Sequence, residues 1–153
     1  MAVQRLLDFL NQTHTFYSTV KHDPAYTARS SAKSAHIPSK EMVKSVLLLL
    51  DGSYILAVLT SSAKIDFKKV KQVTGSHIAS LADEDDIESL FPDCTTGAIP
   101  PFGNLYHLPV ISDVDVQRHK NIFFEAGTHR EIMKMFMSDY LKLAHPKIAA
   151  IHR

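Results

Sequence analysis

The sequence predicts a mixed α/β (α+β) fold: a single domain, residues 1–153, with a curled mixed β-sheet and helices packed on its outside. Two apolar segments, 44–50 and 54–59, flank Asp51 and Gly52, a pair typical of a tight hairpin turn. Nearly every residue of both arms is apolar, which indicates strands covered on both faces. Helical and strand patterns follow one another without strict alternation, and this favours a mixed sheet.

The other elements follow from local patterns. Apolar residues at positions 3, 6, 7 and 10 share one helical face. Asp66 is a typical N-cap, and Gly75 is a typical helix stop. The predicted helices are 3–12, 30–36, 66–74, 83–90 and 138–144, the last with Ser138 as its cap. The predicted strands are 15–21, 44–50, 54–59, 78–81, 106–111, 121–126 and 130–136. Prolines leave residues 91–103 irregular.

Composition excludes several classes of protein. Hydrophobic residues make up 45% of the 153 residues and charged residues 22%, as in a globular rather than a disordered chain. The longest apolar run, 46–50, is too short to span a membrane, and the N-terminus lacks the layout of a signal peptide. The lone Cys94 excludes an internal disulfide and fits a reducing compartment. We therefore expect a cytoplasmic protein without a membrane partner.

Charge is unevenly distributed, although the net charge is only +1. Residues 1–82 contain ten Lys and Arg against five acids, residues 83–115 contain eight acids and no Lys or Arg, and residues 116–153 contain seven against three. A solvated helix explains the acidic block. The distribution also fits a molecule with one basic face that makes modest contact with phosphates.

A glycine-proline loop and a lysine are the first candidates for chemistry. The loop is Gly-Ala-Ile-Pro-Pro-Phe-Gly at 97–103, in which Ile99 and Phe102 would anchor the segment while its amides face a cavity. Amides held in this way can bind a developing oxyanion. Lys44 begins a buried strand and offers one fixed positive charge. The plainer alternatives are an ordinary rigid loop and a lysine that extends to water.

Two further polar segments could line the same pocket. Gly127 and His129 form a Gly-x-His corner at the end of a β-rich stretch. His22, Tyr26 and Thr27 belong to a polar turn around an Asp-Pro pair. A structural histidine and a simple Asp-Pro turn are the alternative interpretations, and the sequence alone does not decide whether His129 acts as a base.

Several familiar sites are missing from the sequence. Cys94 stands alone, and no His/Cys cluster has the spacing of zinc ligands. Neither a phosphate-binding glycine loop nor a GxSxG nucleophile elbow occurs. We therefore expect no metal, no cofactor and no side-chain nucleophile. These absences argue against a kinase, a dehydrogenase and a hydrolase with its own nucleophile.

Taken in order, these residues resemble those of the YbaK/prolyl-tRNA-synthetase-associated (ProXp-like) editing domains. The resemblance extends over nearly the whole chain, through His-Asp-Pro-Ala-Tyr-Thr at 22–27, Ile-Pro at 37–38, Val-Lys at 43–44, Asp-Gly at 51–52, Leu-Phe-Pro at 90–92, the 97–103 loop, and Phe-Glu-Ala-Gly-Thr-His-Arg at 124–130. It implies a barrel-like mixed sheet with flanking helices. It also implies a deacylase that hydrolyses the aminoacyl ester of wrongly charged tRNA.

The resemblance also implies a role for each matching residue. Lys44 matches the family's pocket lysine, near the 3′-terminal adenosine and the ester. Gly97 and Pro100 match its GxxxP-type loop, here with proline one place early and again at Pro101. The implied catalytic residues are Lys44, Gly97, Pro100 and His129. The implied substrate-binding residues are His22, Tyr26, Thr27, Ala98, Ile99, Phe102, Gly127 and Thr128.

The resulting hypothesis is a metal-independent, trans-acting aminoacyl-tRNA deacylase that removes a small amino acid such as Ala, Cys, Ser or Thr from the 3′ acceptor end. An aminoacyl-tRNA synthetase is a second partner to consider, and the oligomeric state stays open. Because the ester is already activated, an acceleration of about a thousandfold, about 4 kcal/mol, makes editing useful. One lysine and one or two amides can supply it, with the attacking water or the substrate's own hydroxyl or thiol doing the rest. The alternatives are a non-catalytic adaptor for tRNA or a synthetase, and an enzyme acting on a free small ester or nucleotide.

Overall fold

The computed structural model describes residues 2–21 and 27–153, which form five helices and eight strands. The helices are α1 (Gln4–Gln12), α2 (Ala28–Ser34), α3 (Phe67–Thr74), α4 (Glu84–Leu90) and α5 (Met137–Ala144). The strands are β1 (Ser18–Lys21), β2 (Val43–Leu50), β3 (Ser53–Thr60), β4 (Ala79–Leu81), β5 (Val110–Asp113), β6 (Asn121–Glu125), β7 (Glu131–Phe136) and β8 (Lys147–Ala149). The predicted mixed α/β class is confirmed.

The strands form two sheets. The smaller sheet has the order β1-β7-β6, with antiparallel pairing throughout. The larger sheet has the order β4-β2-β3-β5-β8, antiparallel at β4-β2-β3 and parallel at β3-β5-β8. A parallel bridge between Met42 and Phe123 joins the start of β2 to β6. The predicted barrel-like sheet is therefore wrong in this respect, because among the described strands the pairing does not close into a ring.

The β2–β3 hairpin turns at the predicted residues. Asp51 and Gly52 both have positive φ, 49° and 85°, as a tight two-residue turn requires. The Asp51 carboxylate accepts hydrogen bonds from the backbone N–H groups of His77 and Ile78, the shorter at 2.8 Å to Ile78. These backbone donors lower the pKa of Asp51. The turn thus fastens the segment that leads into β4.

The larger sheet has a core on each of its faces. On one face lies the main core, which also contains α1, α5 and the inward side chains of β6 and β7. Its centre is the ring of Phe102, packed against Phe9, Phe124 and Tyr140 with centroid distances of 6.0, 5.7 and 5.3 Å. The other face is covered by α3 and by Ile151 near the end of the chain. The 97–103 loop therefore begins beside the main core, with Phe102 inside it.

Several predicted boundaries differ from the structure; β1, for example, begins at Ser18 rather than at residue 15. The predicted strand 106–111 is replaced by a 3₁₀ turn, Gly103–Tyr106, followed by His107 at φ 59°, so that pairing starts only at Val110. Helix α2 begins at Ala28, two residues earlier than predicted, because Thr27 caps it. Helix α5 begins at Met137 without a side-chain cap, so Ser138 does not cap it. Strand β8 was not predicted, since its three residues are defined by pairing with β5.

The end of the described chain is fastened to the larger sheet. Asp113, at the end of β5, accepts hydrogen bonds from the backbone N–H groups of Ile151 and His152 and lies 2.9 Å from Nδ1 of His152. Burial raises the pKa of Asp113, but these hydrogen bonds outweigh burial, so that the net pKa is lowered. No helix in the described ranges is long and apolar enough to cross a membrane.

Candidate active site

The 97–103 loop is held by backbone hydrogen bonds to the corner at Gly127. Gly127 donates its N–H to the carbonyl of Ala98 over 2.8 Å and accepts a hydrogen bond of the same length from the N–H of Thr95. The N–H of Ala98 donates a hydrogen bond of 3.0 Å to the carbonyl of Thr95. Gly97 lies between these anchors with φ 85°, a value suited to glycine. The structure thus brings together two of the predicted segments, the loop and the Gly-x-His corner.

Three amides of the loop have no acceptor among the described residues. The N–H of Ala98 is used within the loop and that of Phe102 donates to the carbonyl of Pro100, while Pro100 and Pro101 have no N–H. Within residues 2–21 and 27–153, the N–H groups of Gly97, Ile99 and Gly103 donate to no acceptor. Gly97 is exposed, whereas Ile99 and Gly103 are buried. Gly97 is accordingly the backbone donor of this loop that a substrate can reach.

Gly127 is required by packing as well as by conformation. Its φ is 99°, which L side chains rarely adopt. A Cβ built on Gly127 would overlap Cγ1 of Val3, and Val3 is tied to the neighbouring residue through a 2.9 Å bond from its N–H to the carbonyl of Ala126. The segment before α1 therefore closes directly over the corner, and no side chain fits between them.

His129 joins the corner to the loop. Its Nε2 lies 2.8 Å from the carbonyl oxygen of Thr96, and its Nδ1 lies 2.9 Å from Oε1 of Glu125. Glu125 is only 3% exposed and also accepts a hydrogen bond from the hydroxyl of Ser31 in α2. Both ring nitrogens of His129 are thus engaged by fixed groups. This geometry suits a residue that holds the loop in place.

Lys44 lies on the same face as this network. Met42 and Phe123 are bridged and pack together in one cluster against α2. Side chains alternate along a strand, so residues two positions apart lie on the same face. Lys44 follows Met42 by two residues and Glu125 follows Phe123 by two. Both therefore lie on the face that Met42 and Phe123 turn toward α2. Burial lowers the pKa of the partly buried Lys44, and the charge of Lys64 lowers it further. No carboxylate in the described ranges forms an ion pair with Lys44.

The other predicted substrate residues occupy different positions. His22 and Tyr26 lie outside the described residues. Thr27 caps α2, its hydroxyl accepting a 3.0 Å bond from the N–H of Ser30. Thr128 is partly exposed beside His129, with its hydroxyl 3.4 Å from the N–H of Arg130. The side chains of Ala98, Ile99 and Phe102 are buried, and that of Phe102 lies in the aromatic core.

Sequence reasoning missed Glu125 and Ser31. A carboxylate at the end of a β-strand is normally solvated, and serine is common in any polar helix. Only the fold brings these two residues together, 94 positions apart in the chain, and buries both of them. The one available signal was the position of Glu125 inside the Phe-Glu-Ala-Gly-Thr-His-Arg segment that carries the resemblance.

A basic cavity lies on the other side of α2. Its volume is about 460 Å³, and its walls include Arg29 and Lys33 of α2 together with Ile37 and Ser39. No acidic residue is among the described residues that line it. Helix α2 therefore presents its Ser31 hydroxyl to the buried network and two cationic residues to this cavity.

Comparison with known proteins agrees with this arrangement. The family model described as the aminoacyl-tRNA editing domain matches residues 22–143, which include the loop, the corner and Lys44. The chain belongs to the aminoacyl-tRNA editing domain family. The sequence-based hypothesis of an editing deacylase is thereby confirmed at the level of the family.

Individual relatives make the comparison more specific. The chain is 25% identical over 155 residues to the multifunctional Ser/Thr-tRNA deacylase ProXp-y of Escherichia coli K12, covering 98% of this chain and 92% of that protein. It is 30% identical over 124 residues to the prolyl-tRNA editing protein ProX of Acetoanaerobium sticklandii, covering 79% and 73%. The fold is similar to that of a solved structure described as a candidate trans-editing enzyme for prolyl-tRNA synthetase, with a TM-score of 0.82, 20% identity, and coverage of 98% and 96%.

Proposed function

We propose that this protein acts in trans on misacylated tRNA and hydrolyses the ester that links a small amino acid to the 3′-terminal ribose. The observation that carries the proposal is the exposed N–H of Gly97, which has no acceptor among residues 2–21 and 27–153 and is held in place by the Gly127 and His129 contacts, in a chain of the editing family. Alanine, cysteine, serine and threonine are the amino acids to test. The names of the two relatives favour serine, threonine and the amino acids mischarged to tRNA-Pro.

Hydrolysis of an activated ester needs few groups from the protein. A water oxygen attacks the ester carbonyl carbon, the carbonyl oxygen becomes an oxyanion, and the bond to the ribose oxygen then breaks. The attacking water gives up a proton, the ribose oxygen takes one up, and the products are the free amino acid and uncharged tRNA. The Gly97 N–H would donate to the oxyanion, a contribution of about 3–4 kcal/mol where one such donor has been removed. No metal or cofactor is needed for this step.

Lys44 would supply the positive charge near the ester. It is partly buried, close to the like charge of Lys64 and without a carboxylate partner in the described part of the chain. A charge held in this way is not neutralised by the protein, so it can interact with a phosphate or with the developing negative charge of the substrate. The assignment of Lys44, Gly97, Pro100 and His129 to catalysis stays a prediction that substitution must test.

Selection of a small amino acid would rest on pocket size. Editing sites act as a second sieve, because a pocket that admits the wrong small side chain can exclude a larger correct one. Ala98, Ile99 and Thr128 remain the predicted walls of this pocket, together with His22, Tyr26 and Thr27. Phe102 would act through the backbone it anchors, since its ring lies in the core.

The basic cavity beside α2 would contact tRNA phosphates. Arg29 and Lys33 are the cationic residues in its walls, and α2 is fixed to the site through Ser31. Replacing both by alanine should raise the KM for charged tRNA several-fold and flatten its salt dependence, with kcat unchanged. A synthetase that recruits the protein stays a second expected partner, and we expect the activity in the cytoplasm, where tRNA is charged.

The test is hydrolysis of a panel of tRNAs charged with Ala, Cys, Ser or Thr, beside their correctly charged counterparts. We expect selective release from at least one mischarged tRNA by the wild type and loss of that release in Lys44→Ala. Lys64→Ala is the matched control, because it removes an exposed lysine near Lys44 and should retain activity. Binding of tRNA without release of any amino acid would refute the proposal in favour of the adaptor.

A further inference from the structure

Glu125 is a buried carboxylate with a defined set of partners. It is 3% exposed, accepts a hydrogen bond from the fully buried Ser31 hydroxyl and lies 2.9 Å from Nδ1 of His129. Burying a carboxylate costs several kcal/mol unless polar groups compensate it. A leucine or methionine here would satisfy packing without that cost. The carboxylate therefore calls for an explanation beyond stability.

The proton positions on His129 follow from its partners. A backbone carbonyl only accepts hydrogen bonds, so Nε2, 2.8 Å from the Thr96 oxygen, must carry a proton and donate it. Nδ1 then faces the Glu125 carboxyl group, which fixes the rotation of the ring. The Ser31 hydroxyl in turn fixes the carboxyl group. The chain of contacts runs from α2 through Glu125 and His129 to the Thr96 carbonyl.

The Thr96 carbonyl belongs to the same peptide unit as the Gly97 N–H. A trans peptide is planar, and its C=O and N–H point in opposite directions. A hydrogen bond that fixes the carbonyl toward His129 therefore directs the Gly97 N–H away from His129, on the exposed side of the loop. Glycine at φ 85° gives this peptide unit more rotational freedom than any other residue would. The orientation thus depends on an external restraint.

We propose that Glu125 is a positioning residue for the deacylation: through His129 it holds the Thr96–Gly97 peptide so that the Gly97 N–H faces the ester oxyanion. Ser31 supports Glu125 from α2. The inference rests on the proposed function, since it assigns a task to the same loop. It also gives His129 a role in which the ring transfers no proton to or from the substrate.

The kinetic test uses Glu125→Gln and Ser31→Ala. Glutamine keeps the size of Glu125 but weakens its hold on Nδ1, so we expect kcat to fall about 10- to 100-fold with KM nearly unchanged, because the Gly97 donor acts mainly on the transition state. Ser31→Ala should reduce kcat less, by about 3- to 10-fold. Ser61→Ala is the matched control: it removes a buried hydroxyl that donates to the Ser39 carbonyl over 2.9 Å, outside the network, and should leave kcat unchanged.

Rescue at His129 separates positioning from proton transfer. The side-chain amide of glutamine can donate to the Thr96 carbonyl but cannot act as a base near neutral pH. His129→Gln should therefore retain clearly more activity than His129→Ala. Equal loss in the two variants would overturn the positioning role and favour a general base.

An amide measurement keeps the inference testable without turnover. In the wild type we expect the NMR signal of the Gly97 N–H to be single, and in Glu125→Gln to shift or broaden as the peptide samples other orientations. An unchanged Gly97 signal together with wild-type kcat in Glu125→Gln would overturn the inference while leaving the deacylase proposal intact. Wild-type protein inactive on every mischarged tRNA would refute the proposed function itself.

Discussion

Replacing Gly127 by alanine is the most direct test of how the corner is built. Two separate costs are expected. A residue with a side chain held at φ 99° is strained by about 1–3 kcal/mol. The new methyl group also overlaps Cγ1 of Val3 and lies 3.3 Å from its Cβ, and overpacking of this kind costs about 1–3 kcal/mol. Together the substitution should lower the free energy of unfolding by about 2–6 kcal/mol, a large part of the total for a domain of this size.

Urea unfolding of four proteins measures the two costs separately: the wild type, Gly127→Ala, Val3→Ala and the double variant. Val3→Ala removes the overlapping methyl groups, so in that background Gly127→Ala should cost only the backbone strain, about 1–3 kcal/mol. We expect a favourable coupling of about 1–3 kcal/mol between the two substitutions. Equal costs of Gly127→Ala in both backgrounds, or a cost below about 1 kcal/mol, would refute the packing argument.

Three further predictions concern charged and titrating groups. Lys44→Met should abolish deacylation without lowering stability. The folded-state pKa of Lys44 is below its unfolded value, so the ammonium opposes folding at neutral pH. In urea titrations the wild type should therefore become more stable as pH rises toward 10.5, and Lys44→Met should lack this gain. Burial raises the pKa of Cys94 to about 11, so a thiol reagent at pH 8 should react about 100-fold or more slowly with the native than with the unfolded protein. Folding lowers the net pKa of Asp113, so its carboxylate stabilises the wild type at neutral pH, and this stabilisation is lost below about pH 4. Asp113→Asn should lack it at neutral pH. Identical acid unfolding curves for the two proteins would contradict this.

The fold was predictable where local chemistry decides it. The Asp51–Gly52 turn requires two residues of positive φ, and Asp66 and Gly75 mark the ends of α3 as their side chains dictate. Local reasoning fails where pairing is distant. Strand β8 is defined by its pairing with β5. Whether the two sheets close into a barrel depends on how the starts of β2 and β6 meet at a bridge. Neither fact has a local sequence signal.

The segments that form the site were predictable from the sequence, but the hydrogen bonds between them were not. The loop at Gly97 and the corner at Gly127 and His129 were predicted separately, and the structure shows them bonded to each other. Glu125 and Ser31 escaped prediction because their burial arises only when α2 packs on the smaller sheet. A polar residue reveals its role in the sequence only when its partners are near it in the chain.

The two sheets meet through a narrow backbone junction. Within the described residues, the β-bridge between them is that of Met42 and Phe123, where the Phe123 N–H donates to the Glu41 carbonyl over 3.2 Å. The rest of their contact is made by side chains of the main core and of the smaller cluster that contains Met42 and Ile132, and such apolar contacts are less directional than a hydrogen-bonded ladder. The sheets should therefore open as separate cooperative units, and hydrogen exchange at the Phe123 amide reports how often the bridge opens between the sheet that carries Lys44 and the sheet next to His129.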